Sequence, residues 1–179
     1  MMVRDMAKKR KKQIILLIFV FLFAVVIFMF SAQNGEKSSD FSGYFTEKFL
    51  RIFHIENISF GRVEHLLRKA AHFIEFFLLG VVSCLLLSSF KMNFLITGLT
   101  SFVPVFLYAV MDEFHQYFIP GRSASWKDVM LDGMGALCGV LTVLICKLIV
   151  DLYRKKKCKK EVNIFYCDEK DLDKTSGKD

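Results

Sequence analysis

Several signatures that would assign a chemistry outright are missing from this sequence. No two cysteines stand in C-x-x-C spacing, so neither thiolate zinc nor dithiol redox chemistry has support. The five cysteines imply no disulfide framework: Cys84, Cys138 and Cys146 fall in apolar runs, Cys158 and Cys167 in a basic tail. There is no internal repeat, no motif for a nucleophilic serine or cysteine, and no Pro-Ser-Gly-His signature of lipid phosphatases. The net charge of +7 comes without a recognition helix, an aromatic platform or zinc spacing, which removes the grounds for a nucleic-acid partner. Proline occurs at two positions only, 104 and 120.

What is abundant is apolar surface. A chain of 179 residues that is 54% hydrophobic, holds 20 Phe and has a mean hydropathy of +0.39 carries more apolar area than a soluble domain of that size can hide. The surplus is gathered into runs. Ile14 to Phe30 spans about 25 Å at ~1.5 Å per residue, enough to cross a bilayer with help from Ser31 and Ala32. Its length, and the missing small residue three positions before a cut, favour an uncleaved anchor over a signal peptide. Further spans follow at about 70–90, 92–111 and 129–150. Pro104 removes a helical donor in the third and predicts a kink, and Gly135-Ala-Leu-Cys-Gly139 in the fourth allows another helix to come close.

The basic residues orient these spans. Arg4, Lys8, Lys9, Arg10, Lys11 and Lys12 precede the first, Lys91 separates the second and third, and Arg154 to Lys157, Lys159 and Lys160 follow the last. The positive-inside rule then places both termini in the cytoplasm. The expected fold is all-α: a polytopic four-helix transmembrane bundle with an outer amphipathic helix, N-in and C-in. Residues 1–12 are its basic cytoplasmic N-tail, 13–150 its membrane domain, with outer segments 33–69 and 112–128, and 151–179 a cytoplasmic tail too charged to hold order. In the first outer segment Phe41, Tyr44, Phe45, Phe49, Ile52 and Phe53 recur at helical spacing, either as a surface helix or as a lid packed on the helix ends. Ser59 is placed to cap a helix running into the second span; Ile119-Pro120-Gly121 breaks the helix, and Ser125-x-x-Asp128 restarts it as a capping box. His54 and His65 read as surface residues, and Tyr117 and Trp126 fit an aromatic belt.

Charged groups in or beside spans are costly, and here they concentrate where spans two, three and four reach the outer side. The catalytic candidates are His72, Glu75, Asp112, Glu113 and His115. The head-group-binding candidates are Lys69, Gln116, Arg122, Asp128 and Asp132. Lys69, His72 and Glu75 share a helical face, as do Asp112 with His115, Glu113 with Gln116, and Asp128 with Asp132, so three faces can converge on one pocket. Arg122 and Lys69 suit a phosphate, while His72 or His115, tuned by Glu75 and Asp112, suits proton transfer. The same residues also suit a non-catalytic head-group binder or transporter, or a salt-bridge cluster that only holds helices together. His72-x-x-Glu75 and Asp112-x-x-His115 have the i, i+3 spacing of metal-binding bundles, but single pairs of that kind are common, and no metal or cofactor is assigned.

The segments Lys69-Ala-Ala-His72-Phe-Ile-Glu75-Phe and Asp112-Glu113-Phe-His115-Gln116-Tyr-Phe-Ile-Pro120-Gly121-Arg122-Ser-Ala-Ser125-Trp-Lys-Asp128, followed by Gly135, resemble the VanZ-like membrane protein family, as does Phe30-Ser31-Ala32-Gln33 to Ser39. The resemblance covers roughly Gln13 to Val150, with separate motifs in the same order. It implies a protein of the bacterial cell envelope, located in the cytoplasmic membrane, some of whose relatives lower susceptibility to teicoplanin-type lipoglycopeptides. It implies no reaction and brings no metal. The expected partners are membrane lipids or a lipid-linked envelope precursor, with the oligomeric state open. One departure adds a carboxylate: the family pattern favours Asn where this chain has Asp132.

Overall fold

A computed structural model describes residues 2–33, 35–53, 59–90, 92–122 and 124–176, with side chains described over 4–33, 42–52, 59–90, 92–122 and 124–157. His54 and the side chains of Phe41, Phe53, Cys158 and Cys167 therefore lie outside the described residues. Among the described residues five helices follow one another: α1 (Met2–Ser31), α2 (Gly35–Phe53), α3 (Phe60–Ser88), α4 (Phe94–Gln116) and α5 (Trp126–Ser176). Four of them, all but α2, are long and apolar enough to cross a membrane. The sequence up to Val143 forms one compact unit, and Leu144 onward forms a second.

The helices run past the apolar cores that mark them. The 29 residues of α3 measure about 43 Å at ~1.5 Å per residue, against ~30 Å of hydrocarbon. Its first turns, carrying Glu64, Arg68 and Lys69, can therefore extend into the polar interface. Ser59 stands at the N-cap position, though its side chain makes no capping bond. α4 runs uninterrupted through Pro104. Hydroxyls nearby bond back to the ladder: Thr100 Oγ1 donates to the Ile96 carbonyl at 2.6 Å and Ser101 Oγ to the Thr97 carbonyl at 2.6 Å.

α3 is the central helix, packing on α1, α2 and α4. Its approach to α5 depends on glycine: a Cβ on Gly135 would come within 2.5 Å of the Phe73 carbonyl oxygen, and one on Gly80 equally near that of Ala136. Gly139 meets Phe77 even more closely, so Gly135 and Gly139 both face the α3 backbone one turn apart. Ile27, Phe76, Leu79, Val105, Ala109 and Ala136 form the apolar core around this seam. Outward, Ile14, Phe21, Leu95, Leu99, Leu107 and Leu137 are exposed, as lipid-facing residues of a bundle would be.

α2 combines features of both readings of its apolar stripe. Thr46 is fully buried and Phe49 half-buried as α2 packs on α3, while Tyr44, Phe45 and Ile52 stay exposed. Beyond Tyr153 α5 continues to Ser176; Lys is the commonest residue of that stretch and no Pro interrupts it.

Candidate functional site

Buried polar groups gather at the end of the bundle where α1 and α4 finish and α3 and α5 begin. Ser31, Asp112, Glu113, Gln116 and Asp132 are all buried there. The loop after α4 supplies the cation that joins them. Arg122 N donates to the Ile119 carbonyl at 3.2 Å, and Gly121 at φ 77° follows Pro120, the geometry of a type II turn in which only glycine is unstrained at the third position.

The turn aims Arg122 back at the bundle. Its Nη2 donates to the Phe30 carbonyl at 3.0 Å, a cation on the last turn of α1, and its Nη1 donates to Gln116 Oε1 at 3.2 Å. Gln116 Nε2 donates in turn to Asp112 Oδ2 at 2.9 Å and to Ser31 Oγ at 3.2 Å; Ser31 Oγ donates to Asp112 Oδ2 at 2.7 Å. A continuous hydrogen-bonded chain thus connects the loop, α4 and the end of α1. Burial pulls the Arg122 guanidinium below the usual arginine range, with Arg68 acting in the same direction and the carboxylates of Asp112, Glu113 and Glu75 opposing it.

On the other side of the site, Lys69 Nζ and Asp128 Oδ1 form an ion pair at 2.7 Å between α3 and α5. Asp128 therefore does not close the capping box. Ser125 Oγ accepts from the Lys127 amide at 3.3 Å, but the Ser125 amide itself donates to Glu113 Oε1 at 2.5 Å. A carboxylate from α4 takes the place that the box reserves for one in α5 itself, joining two helices instead of one turn. Glu64, Arg68 and Ser42 form a further cluster, with Arg68 Nη2 at 2.9 Å from Glu64 Oε1 and Ser42 Oγ donating to Glu64 Oε1 at 2.7 Å, which ties α2 to the start of α3.

A cavity of about 120 Å³ opens among these groups, lined by Arg68, Lys69, His72, Glu113, Gln116, Arg122, Asp128 and Asp132 among others, with exposed His65 at its edge. Beside it lies a larger groove of about 440 Å³, walled by Phe30, Phe45, Phe49, Leu67 and Ile74 and containing Glu75. Arg68, His72 and Arg122 line both. Of the ten sequence candidates, seven line the cavity, Glu75 lines the groove, and Asp112 lies beside His72 and Asp132 with possible ligand atoms mutually within 4.8 Å. His115 lines neither space: its ring packs on Phe28 at a centroid distance of 4.9 Å, and Asp112 bonds Gln116 and Ser31 instead. Ser31 and Glu64 are the residues that spacing arguments passed over. Ser31 could have been noticed as the first hydroxyl after seventeen uninterrupted apolar residues from Ile14 to Phe30.

Four helices of membrane-spanning length and a recessed site rich in both charge signs define a multi-pass membrane protein with a polar pocket at one end of its bundle. The sequence matches the VanZ/LLP1 family over residues 15–148, most of the chain and every residue of the site, and the protein belongs to that family. No curated protein and no solved structure matches it.

Proposed function

We propose that this protein acts in the bacterial envelope by holding the anionic head group of a lipid or lipid-linked wall precursor at the outer face of the cytoplasmic membrane, and thereby lowers susceptibility to teicoplanin-type glycopeptides. The observation that carries this reading is the junction of the two spaces: a charged cavity and an apolar groove that share Arg68, His72 and Arg122. A ligand filling both has a polar, negatively charged end and a hydrocarbon body, which is the chemistry of a membrane lipid. Arg122 supplies a planar fork suited to phosphate oxygens, and Arg68 adds charge at the same boundary. Phe45 and Phe49 of α2 line the groove from the side and act as its cover. The basic flanks of the first and last spans support an outward-facing site.

A second reading, turnover of the bound lipid, is favoured by one contact: His72 Nδ1 lies 3.8 Å from Glu75 Oε2, an imidazole–carboxylate pair at the junction. The discriminating experiment compares wild type with Arg122→Ala and His72→Ala at equal expression, measuring lipoglycopeptide susceptibility, envelope lipids by mass spectrometry and lipid retention by the purified protein. Saturable lipid binding lost in Arg122→Ala, with no product formed, supports the binder; a lipid product lost in His72→Ala supports the enzyme. Unchanged susceptibility and lipid retention in both variants reduce the cluster to a structural tie between helices.

A further inference from the structure

The acidic side of the cavity contains an arrangement that head-group binding does not use. His72 of α3, Asp112 of α4 and Asp132 of α5 each present a ligand-type atom, and these atoms lie within 4.8 Å of one another. Asp112 is 3% exposed and Asp132 is 2% exposed, yet Asp112 Oδ1 and Asp132 Oδ1 make no hydrogen bond. An unsatisfied carboxylate oxygen at that depth is expensive, and two converging from different helices are more so.

We propose that His72, Asp112 and Asp132 form a binding site for one divalent transition-metal cation such as Mn²⁺ or Zn²⁺. A mixed set of one imidazole and two carboxylates suits these ions, and bonds of ~2.1 Å would set tetrahedral ligand atoms about 3.4 Å apart, so side-chain rotation from the present spacing closes the site. The surroundings match what ligands require. Asp112 Oδ2 is held by Ser31 and Gln116, which fixes the carboxylate while leaving Oδ1 for the metal. With Nε2 on the metal, His72 Nδ1 is left 3.8 Å from Glu75 Oε2; both atoms are buried without a hydrogen bond, and a small rotation would join them. Ligated histidines are oriented by carboxylates in this way. Three protein ligands leave at least one position open towards the cavity that His72 and Asp132 line. The ligands stand 40 and 20 residues apart in the chain, so the i, i+3 pairs His72/Glu75 and Asp112/His115 are not the site: Glu75 orients, and His115 is directed elsewhere.

The site does not depend on lipid recognition and is tested without it. The full chain, purified in detergent and stripped with a chelator, is titrated with Mn²⁺ followed by electron paramagnetic resonance, and with Zn²⁺ followed by calorimetry. The expected result is one saturable site per chain, with affinity lowered at least 10-fold in His72→Ala and Asp132→Asn, lowered about 10-fold in Glu75→Gln, and unchanged in His115→Gln. Thermal unfolding of each stripped variant checks that it is folded. Wild type should gain thermal stability on metal addition while the folded His72→Ala and Asp132→Asn chains do not. Absence of saturable binding to wild type overturns the proposal, as does equal affinity in wild type and the folded Asp132→Asn variant.

Discussion

The middle of the bundle and its polar end hold helices together by opposite means. In the middle, Gly80, Gly135 and Gly139 bring α3 and α5 to backbone contact and the surrounding side chains are apolar, so no charge is desolvated. At the end, Ser31, Asp112, Gln116 and Arg122 join α1, α4 and a loop through hydrogen bonds, and Lys69 and Asp128 join α3 to α5 by an ion pair. The comparison teaches that α3 and α5 have a means of contact that involves no charge. α3 and α5 are already joined by glycine packing, and buried ions usually cost as much desolvation as their attraction returns. Their concentration at one end, around a cavity, is what a site requires.

The largest effect should come from the middle. Gly139→Leu places a side chain against the Phe77 backbone, which cannot rotate away; overpacking costs ~1–3 kcal/mol where side chains can give, and more against backbone. The expected outcome is loss of most folded protein, measured by size-exclusion profile and thermal unfolding in detergent. Retained folding would mean that the α3–α5 seam can open without cost, and the contrast between the two regions would collapse.

Ser31→Ala comes next. It removes the hydroxyl that donates to Asp112 Oδ2 and accepts from Gln116, at a cost of about 1–2 kcal/mol for the partners left behind. Unfolding in detergent should shift by a few degrees, and lipid binding should weaken as Asp112 and Gln116 lose their registration. Lys69→Ala should cost less, because both partners of its ion pair are about one-third to one-quarter exposed, at 33% and 27%, where such pairs contribute ~0.2–1 kcal/mol. A double-mutant cycle with Asp128→Ala measures that coupling directly; a value well above this range would make the pair a structural lock. Smallest is Ile52→Ser on the exposed face of α2, which should leave stability within about 0.5 kcal/mol yet weaken partition of the isolated helix into anionic vesicles.

Much of this could be read in advance, and particular residues show where reading stopped. Pro120 and Gly121 announced the break after α4, though not that it forms the turn presenting Arg122, in which one residue fixes φ and the other allows φ 77°. Gly135 and Gly139 announced a close helix, though not that its partner is α3 at Phe73 and Phe77. Asp128 matched a capping box and turned out to pair with Lys69, since the box had a competitor in Glu113 that only the folded chain brings near. The i, i+3 rule linked Asp112 to His115, but Asp112 bonds Gln116 one residue further along the helix and Ser31 eighty-one residues away.

By itself the sequence determined that four spans exist and that charge gathers at one set of helix ends, because apolar length and spacing along a helix are local properties of the chain. Which of those charges meet was decided by the tertiary structure alone. His72, Asp112 and Asp132 belong to three helices, and their convergence depends on helix rotation and depth, which follow from how those helices pack, α3 against α5 through the glycine seam.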